Sequence, residues 1–189
     1  MSSWLIPIVI LIPVLIEGRY IYTIIKGKTK PSFVAYFIFA FEMSVMFCAA
    51  YALGARDSLF LIGTFTILHG ITALLALKYG YVSFSKFNLF CLALSLCGLL
   101  LWWFTSNPWY ALLIQISVDT IGFIVLSRKL YICPETEDSS VFFLSTLAYG
   151  LNLVIITAWV PQEYLFSMTN MFWCSVIFLL SLRKIRHVT

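Results

Sequence analysis

Residues 17–42 read EGRYIYTIIKGKTKPSFVAYFIFAFE, and residues 119–152 read DTIGFIVLSRKLYICPETEDSSVFFLSTLAYGLN. In each stretch an acidic residue, Glu17 or Asp119, sits in an apolar run. That run ends in a basic loop, then a proline, Pro31 or Pro134, then a serine-containing approach to another apolar run. A carboxylate in such a run is costly to leave against lipid, so it must face a protein interior, a partner or water. The repetition predicts a membrane protein built from two related halves.

The whole composition agrees. The 189 residues are 62% hydrophobic and 11% charged, with a mean hydropathy of +0.99, more apolar than a soluble core requires. Spans are predicted at 4–25, 32–53, 59–77, 87–104, 109–130, 140–159 and 164–182. At about 1.5 Å rise per residue each can cross a hydrocarbon layer of about 30 Å with some tilt. The opening MSSWLIPIVILIPVLIEGR has neither a basic n-region nor a small-residue cleavage site and is expected to be a retained first span. Cys48, Cys91, Cys97, Cys133 and Cys174 show no CxxC spacing, and four lie in apolar segments where cysteine acts as a small hydrophobe.

The punctuation between spans is chemically specific. In Thr105-Ser106-Asn107-Pro108 the serine or asparagine can cap the next helix while proline enters its first turn. Pro161 and Glu163 repeat the device before the last span, where a carboxylate suits a helix N-terminus. Gly54-Ala55-Arg56-Asp57-Ser58 closes the second span. Ten of the twelve Lys and Arg residues fall on one face: Lys26, Lys28, Lys30, Lys78, Lys86, Arg128, Lys129, Arg183, Lys184 and Arg186. Basic loops stay cytoplasmic, which puts the N-terminus outside and the C-terminus inside. A formal charge of +4 is therefore explained by topology rather than by nucleic acid. Trp102, Trp103, Trp109 and Trp159 gather near the outer span ends as expected of interface anchors.

The expected fold is an all-α membrane protein with seven transmembrane helices in a 3+1+3 parallel-repeat bundle. Residues 1–182 form a single transmembrane domain, with units 4–77 and 109–182, a linker helix 87–104 and a basic tail 183–189. Three spans return the chain on the wrong side to restart, so two units in the same orientation need an odd linker helix. In this plan the chain resembles the PQ-loop superfamily, which includes SWEET sugar transporters. That family characteristically carries a Pro-Gln pair near the cytoplasmic end of a unit's first helix, which TIIKGKTKP and FIVLSRKLYICP lack; Pro161-Gln162 lies in an outer loop. The resemblance implies pocket residues on the third helix of each unit, nearest here to Thr64 and Asn170.

The polar residues inside the spans are the candidate site. Glu17 has Pro13 four residues earlier on the same face, where the missing backbone donor can kink the helix and free carbonyls. Asp119 shares its face with Gln115 and Gly122. Glu42 and His69 are central in the second and third spans, and a carboxylate beside a histidine suits proton coupling. Asn152 and Asn170 offer donors and acceptors to a solute or to a neighbouring helix. Arg19 can snorkel or pair with an acid on another span, Asp119 included. Glu135, Glu137 and Asp138 are expected to balance local charge and cap a helix.

These residues point to a transporter of a small polar or amphipathic solute working by alternating access, with Asp119, Gln115, Glu17 and Asn170 meeting solute or water. Pro7 and Pro13 permit helix bending, while Glu42 and His69 carry protons. The alternatives are an intramembrane enzyme acting on a lipid or isoprenoid, and a receptor or assembly protein whose polar residues only hold the bundle. The last span has no internal lysine for a chromophore, and HExxH, GxSxG and GxxxxGK[ST] are absent from the sequence, which removes the best signals of common hydrolases and ATP-driven proteins. No metal or cofactor is expected. The expected partners are a small-molecule solute and membrane lipids, with homo-oligomerisation open and nucleic acid excluded. The expected location is a bacterial cytoplasmic (inner) membrane.

Overall fold

The computed structural model describes residues 6–105 and 107–183. Residues 4 and 5 of the first expected span, the side chains of Pro7 and Trp102, and Lys184 and Arg186 of the tail lie outside the described residues. Seven α-helices follow one another: α1 (Ile6–Ile25), α2 (Phe33–Ala52), α3 (Leu59–Tyr79), α4 (Lys86–Thr105), α5 (Pro108–Ile132), α6 (Ser139–Ile155) and α7 (Pro161–Ser181). A 3-10 turn, Pro134–Thr136, lies between α5 and α6.

The helix ends follow from short-range chemistry. Ser32 Oγ accepts from Ala35 N, Asn107 Oδ1 from Trp109 N with Pro108 in the first turn, and Asp138 Oδ1 from Ser140 N; each satisfies a donor that the first turn leaves free. Past the ends of α1 and α2 the chain turns at Gly27 (φ 69°) and Gly54 (φ 85°). Lys28 N donates to Thr23 O and Ala55 N to Ala50 O, the reversed bonds that a left-handed glycine makes accessible. α7 begins at Pro161, ahead of the expected 164, because proline's fixed φ suits the first helical position. Val160 before it is extended (φ −108°, ψ 147°), as a residue preceding proline prefers. α6 accordingly stops at Ile155, short of the expected 159.

α3 packs against both α1 and α2, and α7 against both α5 and α6. Across the molecule α2 meets α5 and α1 meets α6, while α4 lies on α5 and touches α2. Tyr20, Ile24, Met43, Leu61, Leu126 and Ile177 are among the buried residues of this core. The α2–α5 contact is close at Gly122, where a Cβ would stand 2.4 Å from the buried Phe39 ring.

Polarity is distributed inside out relative to a soluble protein. Glu17, Glu42, Gln115, Asp119, Asn152 and Asn170 are buried, whereas Leu15, Ile67, Leu74, Trp103, Phe104, Val154, Trp159 and Leu179 are exposed. So extensive an apolar exterior suits lipid rather than water. Among the described residues three helices, α2, α3 and α7, are by length and composition long and apolar enough to cross a membrane, fewer than the seven spans expected. The chain is thus an all-α, multi-helix protein with several long apolar helices, consistent with a membrane-spanning bundle.

Candidate functional site

The buried polar residues converge between the two groups of helices. From α1 comes Glu17, one turn past the buried Pro13. His69 on α3 brings Nε2 to 3.6 Å from Glu17 Oε1. From α7, Asn170 Nδ2 donates to Asp119 Oδ2 on α5 at 2.9 Å and to Phe166 O at 3.2 Å. Glu42 is fully buried on α2, with Asp119 of α5 as a charged neighbour and no hydrogen-bond partner for either carboxyl oxygen. Asn152 Nδ2 on α6 donates to Ser167 Oγ on α7 at 2.7 Å.

The expected Glu42–His69 pair is not formed. α3 lies between α1 and α2, and its histidine turns to the acid of α1, leaving Glu42 to the acid of α5. Nor does Arg19 reach Asp119; its Nε meets Asp138 Oδ2 at 3.3 Å, and the arginine side chain is 56% exposed. Gln115 is fully buried on α5, one turn before Asp119. Thr64 donates to Phe60 O in its own helix and is only partly buried, so of the two pocket residues implied by the resemblance only Asn170 belongs to the buried cluster.

A cavity of about 20 Å³ sits at this seam, room for about one water molecule. Glu17, His69, Asn170, Ser145 and Cys174 line it together with Tyr36, Phe39, Phe65, Phe123, Phe142 and Tyr149. In its wall Glu17 Oε2 and His69 Nδ1, and elsewhere on the same helices both carboxyl oxygens of Glu42, both amide atoms of Gln115, Asp119 Oδ1 and Asn152 Oδ1, are buried without a hydrogen-bond partner. Each such group costs about 1–3 kcal/mol until something meets it. The aromatic lining was not legible as a site, because Phe and Tyr within an apolar run look like any other core residue.

Both ends of the seam are tied by side chains. At the end carrying the basic loops, Glu137 is buried against Lys129 and accepts from Tyr20 OH at 2.5 Å; Lys129 also donates to Lys30 O, and Lys30 N to Thr136 O at 2.9 Å. Burial pushes the Glu137 carboxyl above the usual carboxylate range, against the pull of the Lys129 ammonium and hydrogen bonds from Lys129 and Tyr20. Beside it, burial acts in the same sense on Asp138 but is outweighed by hydrogen bonds from Ser140 and by the Arg19 guanidinium. The Asp138 carboxyl is held below its ordinary 3.8.

At the opposite end Thr157 Oγ1 donates to Asp57 Oδ2 at 2.7 Å. Glu163 receives Arg56 N at 2.9 Å and Ser58 N at 3.0 Å. The carboxylate expected to serve its own helix N-terminus thus also holds the start of α3, a long-range use that local spacing does not reveal.

No protein-family profile matches the chain, and no curated protein and no solved structure is significantly similar to it.

Proposed function

We propose that the chain is a seven-span transporter of a small polar solute, built from two parallel three-helix units joined by α4 and working by alternating access. The observation that carries this reading is the seam: six helices wall one small chamber, Glu17 Oε2 and His69 Nδ1 in that wall have no hydrogen-bond partner, and further unpartnered polar atoms of Glu42, Gln115, Asp119 and Asn152 are buried on the same helices. A purely structural core would satisfy those groups; a solute, ion or water passing through would meet them in turn.

Internal symmetry supports the same reading. An offset of 102 residues carries Glu17 onto Asp119 and the bounds of α3, 59 and 79, onto 161 and 181, those of α7. The packing follows suit: α1 with α3 corresponds to α5 with α7, α2 with α3 to α6 with α7, and α2 with α5 to α6 with α1. Glu17 beside His69 and Asp119 beside Asn170 are then similar pairs, the acid of a unit's first helix with a polar side chain of its third, although the offset carries His69 onto Met171, one residue past Asn170. Two such units rocking about the seam would open it at one end at a time. With both ends tied and the chamber reduced to the size of a water, the observed conformation corresponds to an occluded state. This plan retains the resemblance to the PQ-loop superfamily as a proposal.

Lipid chemistry finds less support. The lateral groove between α4 and α5, of about 380 Å³, is lined by Leu94, Cys97, Leu113, Ile114, Ser117, Val118 and Ile121, so Glu17, His69 and Asp119 are elsewhere. Cys174, already in the chamber wall, supplies the test. With Cys48, Cys91, Cys97 and Cys133 replaced by serine, a membrane-impermeant thiol reagent added to either side of oriented, sealed vesicles should label Cys174. Protection from both sides would mean a permanently packed bundle and would sink the transport reading.

A further inference from the structure

The described chamber has an uneven charge balance. Three carboxyls, Glu17, Glu42 and Asp119, are buried in or beside it, and the one basic side chain among them is His69. The nearby permanent cations are engaged elsewhere: Arg19 meets Asp138, and Lys129 meets Glu137 and Lys30 O. Among the described residues no lysine or arginine lies within ion-pair distance of any of the three carboxyls. A buried uncompensated charge is costly, so a positive charge arriving from solution would be met favourably.

The walls suit an organic cation better than a bare metal ion. Six aromatic side chains, Tyr36, Phe39, Phe65, Phe123, Phe142 and Tyr149, line the same cavity as Glu17. Phe65 and Tyr149 are stacked with ring centroids 5.2 Å apart, and Phe65 lies 5.5 Å from the His69 ring. Aromatic faces carry negative quadrupole charge and attract ammonium groups, most strongly where water is excluded. A metal ion would prefer a compact set of oxygen or imidazole ligands, and among the described residues no group of three or more acidic, histidine or cysteine side chains is clustered for that purpose. An anion would meet Glu17, and no arginine or lysine is among the described residues of the wall.

We infer that the solute is a small organic cation, an amine or quaternary ammonium compound, received between the aromatic walls and Glu17 as the chamber widens. The inference rests on the transport reading and adds the substrate class to it. Asp119 and Glu42 lie behind Asn170 as a second carboxyl pair, so the cation would be handed from the α1 side of the seam toward the α5 side.

The test is flux into proteoliposomes with three probes of similar impermeability: tetramethylammonium, glucose and succinate. Saturable uptake is expected for tetramethylammonium alone, reduced about tenfold or more in Glu17→Gln and in Phe65→Leu, the loss of a favourable charge or cation–π contact. Both variants are nearly isosteric, and their thermal unfolding in detergent identifies any that fails to fold. For such a variant, the shift of the unmodified protein's unfolding temperature by tetramethylammonium, against none by glucose, replaces the flux comparison. Uptake of glucose or succinate in place of tetramethylammonium would overturn the cation assignment and leave transport standing. Tetramethylammonium flux indifferent to both substitutions would remove it from this chamber. If none of the three moves while Cys174 still labels from both sides, the substrate class alone falls; if Cys174 labels from neither, the transport reading falls as well.

Discussion

At the residue scale, the side chains that hold the seam closed differ in kind from those that line it. Lys129 is buried against Glu137 at the basic end. Removing one member of a buried ion pair leaves the other uncompensated, so Lys129→Met should destabilise the protein by about 3–5 kcal/mol. The double variant Lys129→Met/Glu137→Gln should recover much of that loss, measured by chemical denaturation in detergent. Asp138 titrates with a definite sign. Its carboxyl is depressed in the folded protein, so the stability it contributes is complete above its ordinary 3.8 and is lost as pH falls through its folded value. Asp138→Asn, which keeps a cap acceptor but has no charge to lose, should flatten the acid limb of the melting-temperature profile below about pH 4. Glu17, Asp119 and Asn170 were legible because polar groups are conspicuous in apolar runs. Their partners were not, since the choice of Glu17 rather than Glu42 for His69 depends on which helix lies between which.

At the scale of elements, the sequence carried most of what was needed. Asn107-Pro108 starts α5 and Gly54 ends α2 as their local chemistry requires, and those signals act within four or five residues, where spacing can be read directly. Gly122 is different. Beside Asp119 it passed as part of a polar face, whereas its use is to let α5 lie against Phe39 of α2. Gly122→Ala would force that ring, which also wraps the chamber and lies 4.8 Å from Phe123, out of place. Overpacking of this kind costs about 1–3 kcal/mol. We expect a lower unfolding temperature together with altered thiol labelling of Cys174, because the displaced ring has the chamber as its nearest free space.

For the whole molecule, side-chain contacts bound the seam at both ends, and the proposed alternating access would require them to release in turn. Asp57 and Thr157 lie at one end and Glu137 with Lys129 at the other. Joining the first pair through Asp57→Cys and Thr157→Cys with a short bifunctional thiol reagent should abolish Cys174 labelling from that end and leave it from the basic end. Loss of labelling from both ends would mean that the ends do not open separately. The matched stretches after Glu17 and Asp119 motivate the proposed two-part plan, whereas the packing of α2 on α5 and of α1 on α6 was not legible, since apolar faces do not name their partners.

The basic end holds one further detail. Tyr81 N donates to Pro31 O at 2.7 Å and Phe33 N to Tyr81 O at 3.2 Å, and a Cβ on Gly80 would come within 2.5 Å of Pro31 O. This backbone stitch fastens the start of α2 to the chain leaving α3. In the proposed transport cycle this fastening would keep α2 and α3 moving together at the basic end, as one braced lever.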